Sequence, residues 1–379
     1  MILDYETMRL IWWALLGALL IGFAVTGGFD LGVATLLPFL GKNDTERRVI
    51  INSVGATWEG NQVWFVTAGG ALFAAWPMAY SVAFSGLYFA LLLTLFALFL
   101  RPLGFDYRSK LPSKKWRSNW DIALCIGGLV PALIFGVAFG NLLEGVPFHF
   151  NTDMRSFYTG SFWALLNPFA ITAGVVSLSM ILMHGGVYLQ IKTEGDINQR
   201  CKTVVTVFSL LTLVVFALAG IWIANIDGYQ ISSTISPNAY SDPLAKTVIK
   251  APGLWLANYS HYPILWLIPM SAFVMGTLTL LLSKLDKPGL AFISSSLTLA
   301  AIIVTAGVSM FPFLIPSNSA LNSSLTVWDA SSSLATLKIM LWVTLIFLPI
   351  VLTYTTWAFR VLRGKITLDH IHKNDHTAY

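Results

Sequence analysis

Two carboxylates fall inside apolar stretches of this sequence: Asp30 in TGGFDLG and Glu59 in ATWEGNQVW. A charge at mid-bilayer costs about 2.5–3.5 kcal/mol on insertion scales, so acids in such places mark pathways or partners. They sit symmetrically about the short polar loop Gly41–Arg48, Asp30 eleven positions before its start and Glu59 eleven after its end. Antiparallel helical neighbours would hold both acids at one depth, about 16 Å from the loop at a rise of about 1.5 Å per residue. A carboxyl group in a low-dielectric setting can take up and release a proton near neutral pH, so the chemistry on offer is a proton relay. Gln62 shares a helical face with Glu59 and can orient it or a bridging water, whereas Asn61 lies about 200° around and serves another contact. Gly27, Gly28 and Gly32 strip bulk from around Asp30, leaving room for water or for a close helix. The competing reading is an interhelical hydrogen-bond or salt-bridge site with no transport role.

Redox cofactors find little here. A haem in a helical bundle wants axial His or Met on facing helices. Of six histidines, His370, His372 and His376 lie in the tail and His149 and His261 in loops, which leaves His184 alone inside apolar sequence. A single such histidine reads as a hydrogen-bonded core residue. The tail histidines make a weak metal site, and Met180, Met183 and Met270 read as packing. The sequence has no phosphate-binding glycine loop, no dinucleotide fingerprint and no Cys-x-x-Cys pair. The chain alone is expected to bind no cofactor.

The elements that must position these residues are membrane helices. The chain is 56% hydrophobic and 11% charged, far below the roughly 25% charged of a water-facing protein. Nine apolar segments begin near Leu10, Ile50, Ala79, Asp121, Trp163, Val204, Pro263, Gly289 and Leu337. This predicts an all-α, polytopic membrane protein, one integral domain over residues 1–379, with no cleavable leader and no nucleic-acid role for its net charge of +5. Alternate connections carry 18 of the 23 basic residues, so the positive-inside rule puts the N-terminus outside and the C-terminus in the cytoplasm. Cys125 and Cys201 fall near the inner side, where thiols stay reduced. Two four-helix units plus one extra helix would account for nine, with the first and fifth spans equivalent.

Several long motifs resemble subunit II of the cytochrome bd-type quinol oxidases. They are GFDLG, the stretch NDTERRVIINSVGATWEGNQVWFVTAGGALFAAWP, RPLGFDYRSK, FGNLLEGVPF and MFPFLIPSN with the later SSLTVWDASSS. They follow in order along essentially the whole chain. The resemblance implies a respiratory oxidase of the bacterial cytoplasmic (inner) membrane that oxidises quinol, reduces O₂ to water with cytoplasmic protons and adds to the proton motive force. It implies a subunit I partner bearing the quinol site, two b-type haems and one d-type haem, with this subunit haem-free and stabilising the haem region. Some members add a small single-span subunit, or hold a structural quinone or a phospholipid in subunit II. The Glu59 position is acidic in the family and belongs, in some members, to a proton-entry path; Tyr379 is expected near its mouth. Many members have an acid at Gly27 and a histidine at Thr57, so the polar patch is thinner here and Asp30 and Glu59 carry more of any path.

A stand-alone proton-coupled transporter is the alternative, allowed by nine spans and intramembrane acids but lacking an evident inverted repeat. Three smaller expectations complete the reading. Arg101, Asp106 and Arg108 form an inner ion-pair cluster that anchors lipid phosphates, or a solvated loop. Asp329 caps a helix start. Gly70 and Ala74 make a close helix contact.

Overall fold

Helix starts are set by small polar caps. The Asp4 carboxylate accepts from the Thr7 N–H at 2.9 Å and opens α1 (Tyr5–Leu40). After Gly41, Asn43 accepts from the Glu46 N–H while Glu46 reaches back to the Lys42 N–H, and α2 (Asp44–Val54) begins. The chain then runs through α3 (Trp58–Ala75), α4 (Pro77–Gly86), α5 (Tyr88–Tyr107) and α6 (Lys114–Glu144), the last capped by Ser113. Asn167 and Pro168 start α7 (Pro168–Lys192), which turns into α8 (Gly195–Ile223). A short α9 (Ala257–His261), α10 (Leu267–Lys284), α11 (Pro288–Met310) and α12 (Leu334–Val361) follow. The computed structural model describes residues 3–367.

Eight of the described helices are long and apolar enough to cross a membrane. The sequence reading expected nine; α3, which stands where the other span was expected, is not among the eight. Its 18 residues reach about 27 Å, and WEGNQ at its start makes it the least apolar of the set. The sequence predicted one span from Ile50. The structure instead breaks it at Gly55–Thr57 into α2, an 11-residue amphipathic helix, and α3. At the end opposite the basic turns, three antiparallel hairpins close the bundle: β1 (Phe148–Phe150) with β2 (Ser156–Tyr158), β3 (Asp227–Ile231) with β4 (Val248–Pro252), and β5 (Phe313–Ile315) with β6 (Leu325–Thr326).

The helices sort as expected into two four-helix units, α1, α3, α5 and α6 against α7, α8, α10 and α11, with α12 resting lightly on α1 and α3. α1 and α6 of one unit meet α7 of the other along the seam between units. There a Cβ on Gly32 would stand 2.4 Å from the Ile181 carbonyl oxygen, and one on Gly185 would stand 2.8 Å from the Gly32 Cα. Only glycine permits that approach. Phe29 stacks on Tyr188 across the same seam at 3.9 Å. Of the glycines near Asp30, Gly32 therefore serves the close helix, whereas a Cβ on Gly27 would meet the Phe23 ring of α1 itself and one on Gly28 would make ordinary contact.

Candidate functional site

Asp30 lies on α1 and is fully buried. Its Oδ2 accepts from the Asn61 Nδ2 at 2.8 Å, so the first turn of α3 sits level with Asp30, the shared depth the loop symmetry predicts. Asn61, placed by its 200° offset on "another contact", is that contact. The Asp30 Oδ1 has no hydrogen-bond partner among the described residues. Facing it electrostatically is Arg101 of α5, also fully buried, with Nε, Nη1 and Nη2 all without partners. The Trp58 ring lies 5.7 Å from the guanidinium carbon and stacks on Phe105 at 5.3 Å. Both residues at the start of α3 thus touch the buried pair, Asn61 through Asp30 and Trp58 through Arg101.

Glu59 points elsewhere. It is exposed on the chain's surface and makes no hydrogen bond among the described residues, while Gln62 beside it is half-buried. Below it along the same face run Gly60, Val63, Val66, Thr67, Gly70 and Phe73, all exposed. Gly70 meets nothing within 4 Å, so the expected Gly70–Ala74 helix contact does not form within this chain. Tyr379 and the tail histidines lie outside the described residues.

The inner ion cluster exists with different members. Asp121 accepts from Arg47 at 2.8 Å and from the Arg108 Nε at 2.5 Å, and Asp44 accepts from Arg108 at 3.0 Å and Arg117 at 2.5 Å. Asp106 is exposed and outside it. Arg101, seven residues before Arg108, is inside the bundle because α5 continues past Pro102 to Tyr107. Asp329 also corrects the sequence reading. Ser333 caps α12, and Asp329 instead pairs with Lys246 at 2.9 Å and accepts from the Thr326 N–H and hydroxyl.

His184 is fully buried with both ring nitrogens engaged, Nδ1 with the Ser295 hydroxyl at 2.7 Å and Nε2 with the Val25 carbonyl at 2.9 Å. Neither nitrogen is open to a haem iron, and the described residues contain no cluster of three or more His, Cys, Asp or Glu fit for a metal. His184 as placed does not fit a haem. An apolar cavity between Val33, Leu37, Ile50, Val54, Phe105 and Leu124 measures about 10 Å³, too small for a quinone ring.

The chain is 54% identical over 378 residues to cytochrome bd-I ubiquinol oxidase subunit 2 of Escherichia coli K12, covering all of both chains. It is 52% identical to a probable cytochrome oxidase subunit 2 of Haemophilus influenzae, again over all of both chains. Cytochrome bd ubiquinol oxidase subunit 2 of Bacillus subtilis is 28% identical, over 94% of this chain and 96% of the relative. Among solved structures, a chain of the bd oxidase from Geobacillus thermodenitrificans superposes with a TM-score of 0.70 at 14% identity, over 94% of this chain and 98% of that one, which speaks for the fold. The family model for cytochrome bd terminal oxidase subunit II matches residues 8–362, and the chain belongs to that family.

Proposed function

We propose that this chain works as the haem-free subunit II of a cytochrome bd-type quinol oxidase in the bacterial inner membrane. It spans the membrane as one domain with its N-terminus periplasmic and its C-terminus cytoplasmic. It packs against a subunit I that carries the two b-type haems and the d-type haem, and stabilises that region. The whole complex couples quinol oxidation to reduction of O₂ to water. The haems supply the redox chemistry; this chain's own residues supply structure and a proton entry. A small single-span subunit and a structural quinone or lipid are further members of the assembly.

The observation that carries the reading is Glu59. Its carboxylate stands on the outer face of a membrane helix, amid Val63, Val66 and Phe73. Lipid would penalise it there, so a partner chain covers that face and gives it polar company. Subunit I is that partner. Glu59, at the mouth of a path that includes the tail residue Tyr379, takes protons from the cytoplasm and passes them across the interface, while Asp30, on the other side of α3, supports the helix that carries it. Gln62 orients it. Family membership favours this reading over a stand-alone transporter.

Glu59→Gln keeps shape and hydrogen bonding but cannot exchange a proton. In the purified complex, O₂ uptake per haem d should fall at least about 100-fold, the low end for loss of a proton-transfer group, with the haem spectrum intact. Glu59→Asp should keep part of the rate, and Glu59→Leu should be worse than either. Wild-type turnover in Glu59→Gln sinks the relay. Loss of haem together with activity assigns the residue to assembly.

A further inference from the structure

The α2–α3 break is held from three sides. The Tyr188 hydroxyl of α7 donates to the Ser53 carbonyl at 2.9 Å, near the end of α2. Asn61 is tied to Asp30, and Trp58 lies over Arg101. The last two anchors are the two members of one buried charge pair. Among the described residues that pair is incompletely satisfied: Asp30 Oδ1 and three Arg101 nitrogens lack partners, and no hydrogen bond or ion pair joins the two side chains. Buried charges without hydrogen bonds cost several kcal/mol each, and polar interior sites of this kind are completed by ordered water. The neighbours leave Arg101 little freedom to find another acceptor. A Cβ on Gly127 of α6 would stand 2.8 Å from the Arg101 Cγ, so the arginine stem is pinned against a bare stretch of α6.

We infer that Asp30 and Arg101 form a water-bridged ion pair that fixes the first turn of α3. Carboxylate and guanidinium share one or more bound waters through Oδ1 and the unpaired N–H groups. The pair holds Asn61 by hydrogen bond and Trp58 by its ring face. Glu59 lies between those two residues in sequence and on the opposite side of the helix, so anchoring the inner side aims Glu59 at the partner. Asp30 and Arg101 are then positioning residues. This role rests on the reading of Glu59 given above, but the hydrated pair itself does not.

Three measurements on the assembled oxidase test it. A high-resolution map of the complex should show water within hydrogen-bond distance of both Asp30 Oδ1 and the Arg101 guanidinium; direct contact of the two side chains, or a dry gap, overturns the bridge. Hydrogen exchange over residues 55–62 should quicken at least about tenfold in Asp30→Asn and in Arg101→Gln, each of which strands one buried charge. The double variant, with no charge left to strand, should return to within about threefold of wild type. Additive losses, or unchanged exchange in Asp30→Asn, overturn the clamp. A single variant that fails to assemble where the double assembles counts for it, and failure of both alike counts against. Asn61→Ala leaves the pair intact and cuts only the link. It should quicken the same exchange and lower kcat without changing KM for quinol, and Arg101→Lys should recover most of the kcat lost in Arg101→Gln. An unchanged kcat in Asn61→Ala, or no recovery with lysine, removes the positioning role. If Glu59→Gln turns over normally, the relay fails while the exchange cycle still stands or falls by itself.

Discussion

Two of the clusters of buried charge in this molecule sit at different levels and are built differently. Near the hairpin end, Arg9 donates Nε to the Ser331 hydroxyl at 2.7 Å, Nη1 to the Pro237 carbonyl at 2.5 Å and Nη2 to the Ser241 hydroxyl at 3.0 Å, and lies over the Tyr5 ring. Beside it Lys246 reaches the carbonyls of Pro243 and Asn322 and the Asp329 carboxylate, which also accepts from Thr326. Every charged group there has protein partners. In the Asp30–Arg101 cluster, four polar atoms have none. The hairpin-end cluster ties the long connection between α8 and α10 to α1 and to the start of α12, and needs no solvent to do it. The Asp30–Arg101 cluster, by the inference above, is completed by water. Saturation by protein marks a structural site; leftover polar capacity marks a hydrated one.

The largest effect is expected where saturation is complete. Burial pushes Lys246 down and Asp329 up, each offset by the other's charge. Removing one partner leaves the other buried and alone, which costs about 3–5 kcal/mol. Lys246→Met should therefore lower the thermal midpoint of the complex by several degrees while leaving O₂ uptake per assembled haem d unchanged. Lys246→Met combined with Asp329→Asn should be milder than Lys246→Met alone. A normal midpoint in the single variant, or a turnover defect without a stability defect, breaks the contrast between the two clusters.

His184 separates location from saturation. It lies as deep as Asp30, yet both its nitrogens are paired within the chain. If saturation decides, His184→Ala behaves like the hairpin-end variants. It should cost about 1–3 kcal/mol for the stranded Ser295 and Val25 groups, with haem content and kcat per haem unchanged. Loss of a haem band would show that the imidazole serves a cofactor after all.

How far the sequence alone reaches differs between these clusters for physical reasons. Hydrophobic runs and basic turns are local signals, so the spans, their pairing into two units and the common depth of Asp30 and the start of α3 are legible. The α2–α3 break is hidden because the apolar face of α2, Val49 to Val54, merges with the apolar run that follows. Gly55 and the β-branched Thr57 were its only local marks. Arg101 looks like the first residue of a basic loop because Pro102 follows it and proline usually ends a helix. Its burial depends on α6 lying against α5 at Gly127, which no local pattern encodes. Asp329 looks like a helix cap because Ser residues follow, and only the folded chain brings Lys246 to it. Glu59 is the reverse case: the residue was legible as unusual, but its exposure is a property of the fold.

The smallest effect expected concerns Tyr229, at the hairpin end, whose hydroxyl donates to the Glu144 carbonyl at 3.1 Å. Burial, with Asp227 and Glu144 nearby, raises this phenol above its ordinary value of 10.0. The sign follows from linkage. A group whose folded pKa is raised contributes stability that is whole below the unfolded value and is lost as pH rises through the folded one. The wild-type complex should thus lose thermal stability above about pH 10 more steeply than Tyr229→Phe, which has no phenol to ionise. Below that range Tyr229→Phe should cost about 1 kcal/mol for one hydrogen bond, more if the Glu144 carbonyl is left dry. The check is the thermal midpoint of both complexes across neutral and alkaline pH. Parallel curves would mean that the Tyr229 hydroxyl is wet in the assembled oxidase. The hairpin end would then share the solvent access that sets the Asp30–Arg101 cluster apart, and the distinction between the two would have to rest on charge alone.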